Sequence, residues 1–299
     1  MSQIWFLYAL ASVISLGFNT IVDKLMLEKR LSSFSYFASY LPPALTFSIG
    51  VLLFLPTRVF SPPYAIAFAA GAISAAGFFI YAFSMRKEEA SRIAALTSLS
   101  PAFVAVLAVF LVNEVLSASS YLGMALMIAG SALIGYKRKG EQKLISASLV
   151  LMLISANFLF GLEQTLSKIS LNKISFWPFE MMFLLGRFAL VFPGLALPQI
   201  RRKAVSEFKQ LRAGPALTLA STSIMWTLGI ICFFYAASLG PITLVSATVL
   251  ISPLFTLLFA ILITKYLPRV LKEEIDTGTV SLKVIAIILI VVGTYIMVP

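Results

Sequence analysis

Long stretches of this chain carry no charged side chain at all: Ile4 to Ile21, Phe34 to Pro56, Pro62 to Ser84 and Ala118 to Tyr136. A run of about 18 or more apolar residues is long enough to cross the hydrocarbon core of a bilayer as a helix. Further runs at 93–112, 145–168, 177–198, 214–238, 242–264 and 280–298 read as spans in the same way, so the sequence predicts ten. At about 20 to 24 residues each, ten helices take most of the chain and leave only short connections, with no room for a soluble domain.

Composition agrees, since 60% of the 299 residues are hydrophobic and only 12% are charged. Soluble domains are roughly half apolar and a quarter charged, so a water-facing shell cannot be built from this mixture. In lipid only helices and closed barrels satisfy their own backbone groups, and the strict alternation of barrel strands is missing. The expected fold is an all-α polytopic membrane protein.

The formal net charge is +11. In a soluble protein this would raise the question of nucleic acid, but here the basic residues sit almost entirely between spans, where they read as a topology signal. The odd-numbered connections hold 19 of them, while the even-numbered ones hold three: Arg58, Lys168 and Lys173. The positive-inside rule then places both termini outside the cytoplasm, in a multi-pass protein of the cytoplasmic membrane. The first span reads as retained: no basic segment precedes it, and the apolar run ahead of Ala9-Leu10-Ala11 is too short for a cleaved signal.

Cys232 is the one cysteine and histidine is absent. Disulfides, thiolate-histidine catalysis and histidine-ligated metals within one chain are excluded, and neither cofactor nor metal is expected. No phosphate-binding Gly-x-x-x-x-Gly-Lys-[Ser/Thr] loop occurs, so ATP is not the direct driver. An intramembrane enzyme would need a nucleophile with its base, or paired carboxylates, at depth. No span interior holds an aspartate pair, and Glu180 is expected only at the mouth of the seventh span.

The two halves repeat. Val22-Asp23-Lys24-Leu25-Met26-Leu27-Glu28-Lys29 ends the first span, and Leu166-Ser167-Lys168-Ile169-Ser170-Leu171-Asn172-Lys173 ends the sixth, with Lys24, Leu27 and Lys29 matching Lys168, Leu171 and Lys173. Tyr81-Ala82-Phe83-Ser84 followed by Ser100-Pro101 matches Tyr235-Ala236-Ala237-Ser238 followed by Ser252-Pro253. Both sets are offset by about half the chain, which reads as duplication into residues 1–140 and 141–299. With five spans per half, an odd number, the second copy is inserted upside down, an arrangement typical of alternating-access transporters.

With these landmarks the sequence resembles the drug/metabolite transporter superfamily, in its EamA-type group with two five-helix repeats. The resemblance rests on Ala90-Ser91-Arg92-Ile93-Ala94-Ala95-Leu96, Ser100-Pro101, Leu111-Val112-Asn113-Glu114, Tyr121-Leu122-Gly123 and Ala129-Gly130. It implies a secondary transporter, an exporter of amino acids or related metabolites. Other small solutes (a drug, a quaternary amine, a nucleotide-sugar-like compound) stay open, as does a receptor or passive scaffold. The second half departs from the pattern, with Tyr266 where an acidic residue should recur and Glu273, Glu274 and Asp276 in a longer loop. Glu114 therefore reads first as a polar turn residue between helices.

An ionisable side chain deep in a span costs about 2.5 to 3.5 kcal/mol on insertion scales and needs a partner or a task. Glu163 and Arg187 are such residues, at expected depths of about 8 and about 15 Å from the same face. They either bind each other or face a central cavity, where Arg187 meets a carboxylate and Glu163 an amino group or a coupling proton. In the repeat Asn19 aligns with Glu163 and Thr20 with Gln164, which favours one shared polar site. Asn157, Trp226, Tyr81 and Tyr235 complete the candidate substrate site, each equally open to a packing role. Pro101 and Pro253, expected near mid-helix, read as hinges or as tolerated prolines. Gly71, Ala75, Ala76, Gly77, Gly123 and Gly130 are expected at close helix contacts. The expected partners are a small-molecule substrate, the bilayer and, in a coupled form, a proton, for a monomer or homodimer.

Overall fold

The computed structural model describes residues 4–29, 31–54, 61–85, 99–134, 147–189, 191–266 and 277–297. These residues form α-helices and one 3-10 turn, with no strand among them. The first half contains α1 (Ile4–Lys29), α2 (Ser33–Ala38), α3 (Leu41–Phe54), α4 (Pro62–Met85), α5 (Ser100–Leu111) and α6 (Ala118–Ile134). The second contains α7 (Ala147–Leu171), α8 (Phe176–Phe188), α9 (Val191–Ala196), α10 (Pro198–Gln210), α11 (Ala213–Leu239), α12 (Ile242–Thr248), the 3-10 turn Val249–Ile251, α13 (Ser252–Tyr266) and α14 (Thr277–Met297). The run Ala90 to Leu96, the loop with Glu273, Glu274 and Asp276, and much of the basic-residue count lie outside the described residues.

Among the described residues six helical segments are long and apolar enough to cross a membrane, and four shorter apolar helices fall where the remaining spans are expected. The surface is apolar: Phe54, Phe110 and Tyr295 are 83%, 78% and 85% exposed. Asn19, Asn157, Glu163, Glu180 and Arg187 are buried. That is the arrangement of a chain whose solvent is hydrocarbon, with polar groups turned into the bundle.

Two expected spans are not continuous helices, and proline accounts for both. Pro42 and Pro43 have no N–H to offer the carbonyls of Ala38 and Ser39, so the second span breaks at Ser39 and Tyr40. The freed Ser39 carbonyl is taken by Ser223 Oγ of α11 at 3.0 Å. In the ninth span Pro253 sits in the first turn of α13, directly after the 3-10 turn, and Pro101 likewise begins α5. Neither proline is at the middle of a regular helix, because each lies where its missing donor is harmless. An unexpected amphipathic helix, α10, follows the seventh span. Its Glu207 accepts from the backbone N and the Oγ of Ser32, both at 2.9 Å, and so ties α10 to the start of α2. Partial burial raises the Glu207 carboxyl, but hydrogen bonds from Ser35 and Ser32 outweigh it and hold it below its ordinary value. The contact therefore contributes above the ordinary glutamate range and weakens only as pH falls below it.

The helices cross between halves: α1 against α11, α4 against α7 and α8, α5 against α7, and α6 against α14. The small residues set the distances. A Cβ on Gly71 would strike the Phe183 carbonyl and the Arg187 nitrogen, and one on Gly123 would strike the Gly293 carbonyl. Gly130 meets α14 at Ala286, whereas Gly77 faces only the Phe160 ring and Ala76 is exposed, so those two do not hold backbones together. Gly71→Ala should lower stability by about 1 to 3 kcal/mol, since backbone cannot yield as a side chain does. Gly50, with nothing within 4 Å of its added carbon, is the control: Gly50→Ala should leave the melting temperature in detergent unchanged or slightly higher.

Candidate functional site

Where α1, α4, α7, α8 and α11 converge they enclose a cavity of about 220 Å³. One end is organised by Asp23, on the last turns of α1. Tyr36 Oη donates to its Oδ1 at 2.5 Å and Tyr81 Oη to its Oδ2 at 3.1 Å. Tyr36 and Tyr40 share a hydrogen bond at 2.6 Å. The break at Ser39 and Tyr40 lets both tyrosines reach inward, and the Tyr40 ring meets Trp226 edge-on at 5.2 Å. A carboxylate inside a bundle is tolerable when each oxygen has a donor, and Asp23 has both.

Arg187 occupies the last turn of α8, where the free carbonyls of the helix end favour a cation. Its guanidinium lies 4.5 Å from the Trp226 ring centre, 5.5 Å from Phe37 and 5.6 Å from Phe78. Faces of aromatic rings attract a desolvated cation by about 2 kcal/mol. Nη1 donates to Ser74 Oγ on α4, while Nε has no hydrogen-bond partner. Glu163 faces the same space from α7. No ion pair within 4.0 Å joins it to Arg187 among the described residues, and its Oε2 is buried without a hydrogen bond. A direct salt bridge, one of the two expectations for this pair, is therefore not what the structure contains. Ser74 stands between them.

Of the substrate-site residues expected from sequence, Asn19, Tyr81, Glu163, Gln164, Arg187 and Trp226 line this cavity, as do Thr20 and Pro253. Asn19 and Thr20 of the first half thus line the same cavity as Glu163 and Gln164 of the second. Asn157 and Tyr235 are not brought there. The Asn157 amide nitrogen donates to the Leu153 carbonyl of its own helix at 2.7 Å, and the Tyr235 ring packs against Tyr8 and Phe176 at 4.7 and 5.1 Å. Asp23, Tyr40 and Ser74 were not singled out, although Asp23 sits one helical turn beyond Asn19 on the same face. Glu180, expected at a span mouth, lies on the second turn of α8 and is fully buried, with both oxygens lacking hydrogen-bond partners.

Glu114 does something other than end a turn. The chain leaves α5 through Asn113 at φ 56°, a left-handed value that asparagine tolerates. This aims the Glu114 carboxylate across the molecule, where it accepts from the N–H groups of Ile242 at 3.0 Å and Thr243 at 2.8 Å, the first donors of α12. Nearby Lys168 Nζ donates to the carbonyls of Ala237 and Gly240 at 2.6 and 2.9 Å, capping the end of α11. Both side chains are structural ties between elements, away from the cavity.

Compared with known proteins, residues 3–136 match the EamA-like transporter family, the domain of the drug/metabolite transporter superfamily, which is the family read from the sequence. No curated protein matches the chain. Among solved structures 27 chains match. One, described only as a crystal structure of a protein, is 13% identical and superposes with a TM-score of 0.76 over 100% of this chain and 97% of its own. That likeness concerns the fold alone.

Glu114→Ala removes the acceptors that two helix-start donors have among the described residues, so it should cost about 1.5 to 3 kcal/mol of stability. Melting of the purified protein measures this, and ligand affinity should not change.

Proposed function

We propose that this protein is a secondary transporter of small metabolites, exporting amino acids or related compounds by alternating access to the cavity between its halves. The observation that carries the reading is the Arg187 and Glu163 pair: both face one cavity, with Nε of one and Oε2 of the other buried and unpartnered. Buried polar atoms are nearly always satisfied, and an orphan donor beside an orphan acceptor in an aromatic cavity suits a ligand carrying both charges. The transporter family match over residues 3–136 supports the same class.

Helix pairing supports two inverted repeats of five spans, at 1–140 and 141–299. If the first and third spans correspond to the sixth and eighth, the contact of α1 with α11 becomes that of α7 with α4, and both occur. The six long spans and four shorter apolar helices then make ten. The excess of basic residues in odd connections supports a cytoplasmic-membrane location with both termini outside. Breaks before Pro42 and at Val249–Ile251 supply places for the helices to bend.

The test is the melting temperature of the purified protein against amino acids, polyamines, nucleosides, sugar phosphates and quaternary amines. A true ligand at 100 times its Kd stabilises by about 2.7 kcal/mol. Zwitterionic amino acids should raise the melting temperature, Glu163→Gln should abolish the shift and Arg187→Ala should reduce it. A shift that survives both substitutions would remove the pair from the binding site. Proton coupling and uncoupled exchange are separated by the pH dependence of flux, which Glu163→Gln should flatten only in the coupled case.

A further inference from the structure

The polar atoms left without partners around the cavity are not evenly divided between donors and acceptors. Asn19 Oδ1, Glu163 Oε2 and Gln164 Oε1 are buried acceptors without a hydrogen bond, against a single donor, Arg187 Nε. The Asn19 amide cannot simply be turned round, because its nitrogen is held by the Ser15 carbonyl at 2.9 Å. The Gln164 amide can present either end, which still leaves two fixed acceptors. The charges lean the same way: Asp23 and Glu163 line the cavity against one cation, Arg187. That cation is already covered by Trp226, Phe37 and Phe78 and tied to Ser74. The remaining wall mixes the rings of Phe160, Phe188 and Phe233 with aliphatic side chains and the hydroxyls of Ser100 and Ser252.

We propose that the determining feature of the ligand is a protonated amine bearing N–H groups on an apolar or aromatic body, with its carboxylate dispensable. This deepens the transporter reading and rests on it for the direction of use, though not for the binding site. Asn19 lines the cavity from α1 and Glu163 and Gln164 line it from α7, so an ammonium seated there has unpartnered acceptors from both halves to bond. A quaternary ammonium carries charge but no N–H, so it satisfies the cavity's charge and leaves its acceptors orphaned. A carboxylic acid meets only Arg187 Nε and adds a third carboxyl group to the cavity. Discrimination by unpaired buried groups is much stronger than discrimination by apolar contact.

Four probes of matched body separate these demands on the full-length protein in detergent: phenylalanine, phenethylamine, trimethylphenethylammonium and 3-phenylpropionate, each followed by calorimetric affinity. Phenethylamine should bind within about threefold of phenylalanine, and the other two at least tenfold more weakly. Asn19→Leu, which loses only the two bonds to Ser15 within its own helix, should weaken phenethylamine at least tenfold; unliganded melting checks its fold, and Gln164→Leu serves as the second variant. The proposal is overturned by a quaternary or acid probe that binds as tightly as the amine, by phenylalanine binding tenfold more tightly than phenethylamine, or by no binding of either N–H ammonium. Flux into sealed vesicles is read separately: amine binding without flux sinks the transporter reading and leaves the ammonium site standing.

Discussion

The rest of the structure is organised by the problem of keeping one guanidinium inside a lipid-embedded bundle. Arg187 solves it by geometry: a helix end behind it, three aromatic faces around it and a serine hydroxyl before it. Each part fixes another element. Ser74 requires α4 at backbone contact with α8, which Gly71 permits. Trp226 requires α11 on the far side, and Phe37 requires the second span to bend inward at its broken turn. Removing the charge would leave several aromatic faces and a hydroxyl arranged around nothing.

The fold was legible to the extent that hydropathy reports it. Uncharged runs locate helices because charge is expensive in hydrocarbon, and the same rule picked out Glu163 and Arg187 as anomalies. Asn19 and Gln164 were found through the repeat, and the cavity does unite them. Asp23 escaped because it lies beside Lys24 at the end of a run, where a carboxylate normally meets water; its burial is made by tyrosines from two other helices. The repeat also misled. Tyr81 and Tyr235 occupy matched positions, but the residue matching Asp23 is Ser167, so Tyr235 has no buried carboxylate to bond and packs on Tyr8 and Phe176 instead. The burial of Glu180 was not legible for a related reason: one helical turn of sequence does not say how completely its neighbours cover it.

The ends of the bundle are tied by carboxylates and a lysine acting on backbone. Glu114 holds the start of α12 and Lys168 the end of α11, while Glu207 holds the start of α2 from the other side of the chain's threading. Charge-assisted bonds to helix ends suit the membrane boundary, where the helix's own donors and acceptors run out and water is no longer guaranteed. None of these partners is close in sequence, so composition and spacing alone do not assign them.

The contact between Gly71 and the Phe183 carbonyl has a mechanical consequence. With no side chain between them, α4 and α8 cannot slide without dragging one main chain across the corrugations of another, so they behave as one stiff beam. The broken turn at Ser39 and Tyr40 meets α11 differently, through a serine hydroxyl and a ring edge. The first pair is thus held main chain against main chain, whereas the second is joined by a hydroxyl and a ring, which can part by side-chain rotation alone.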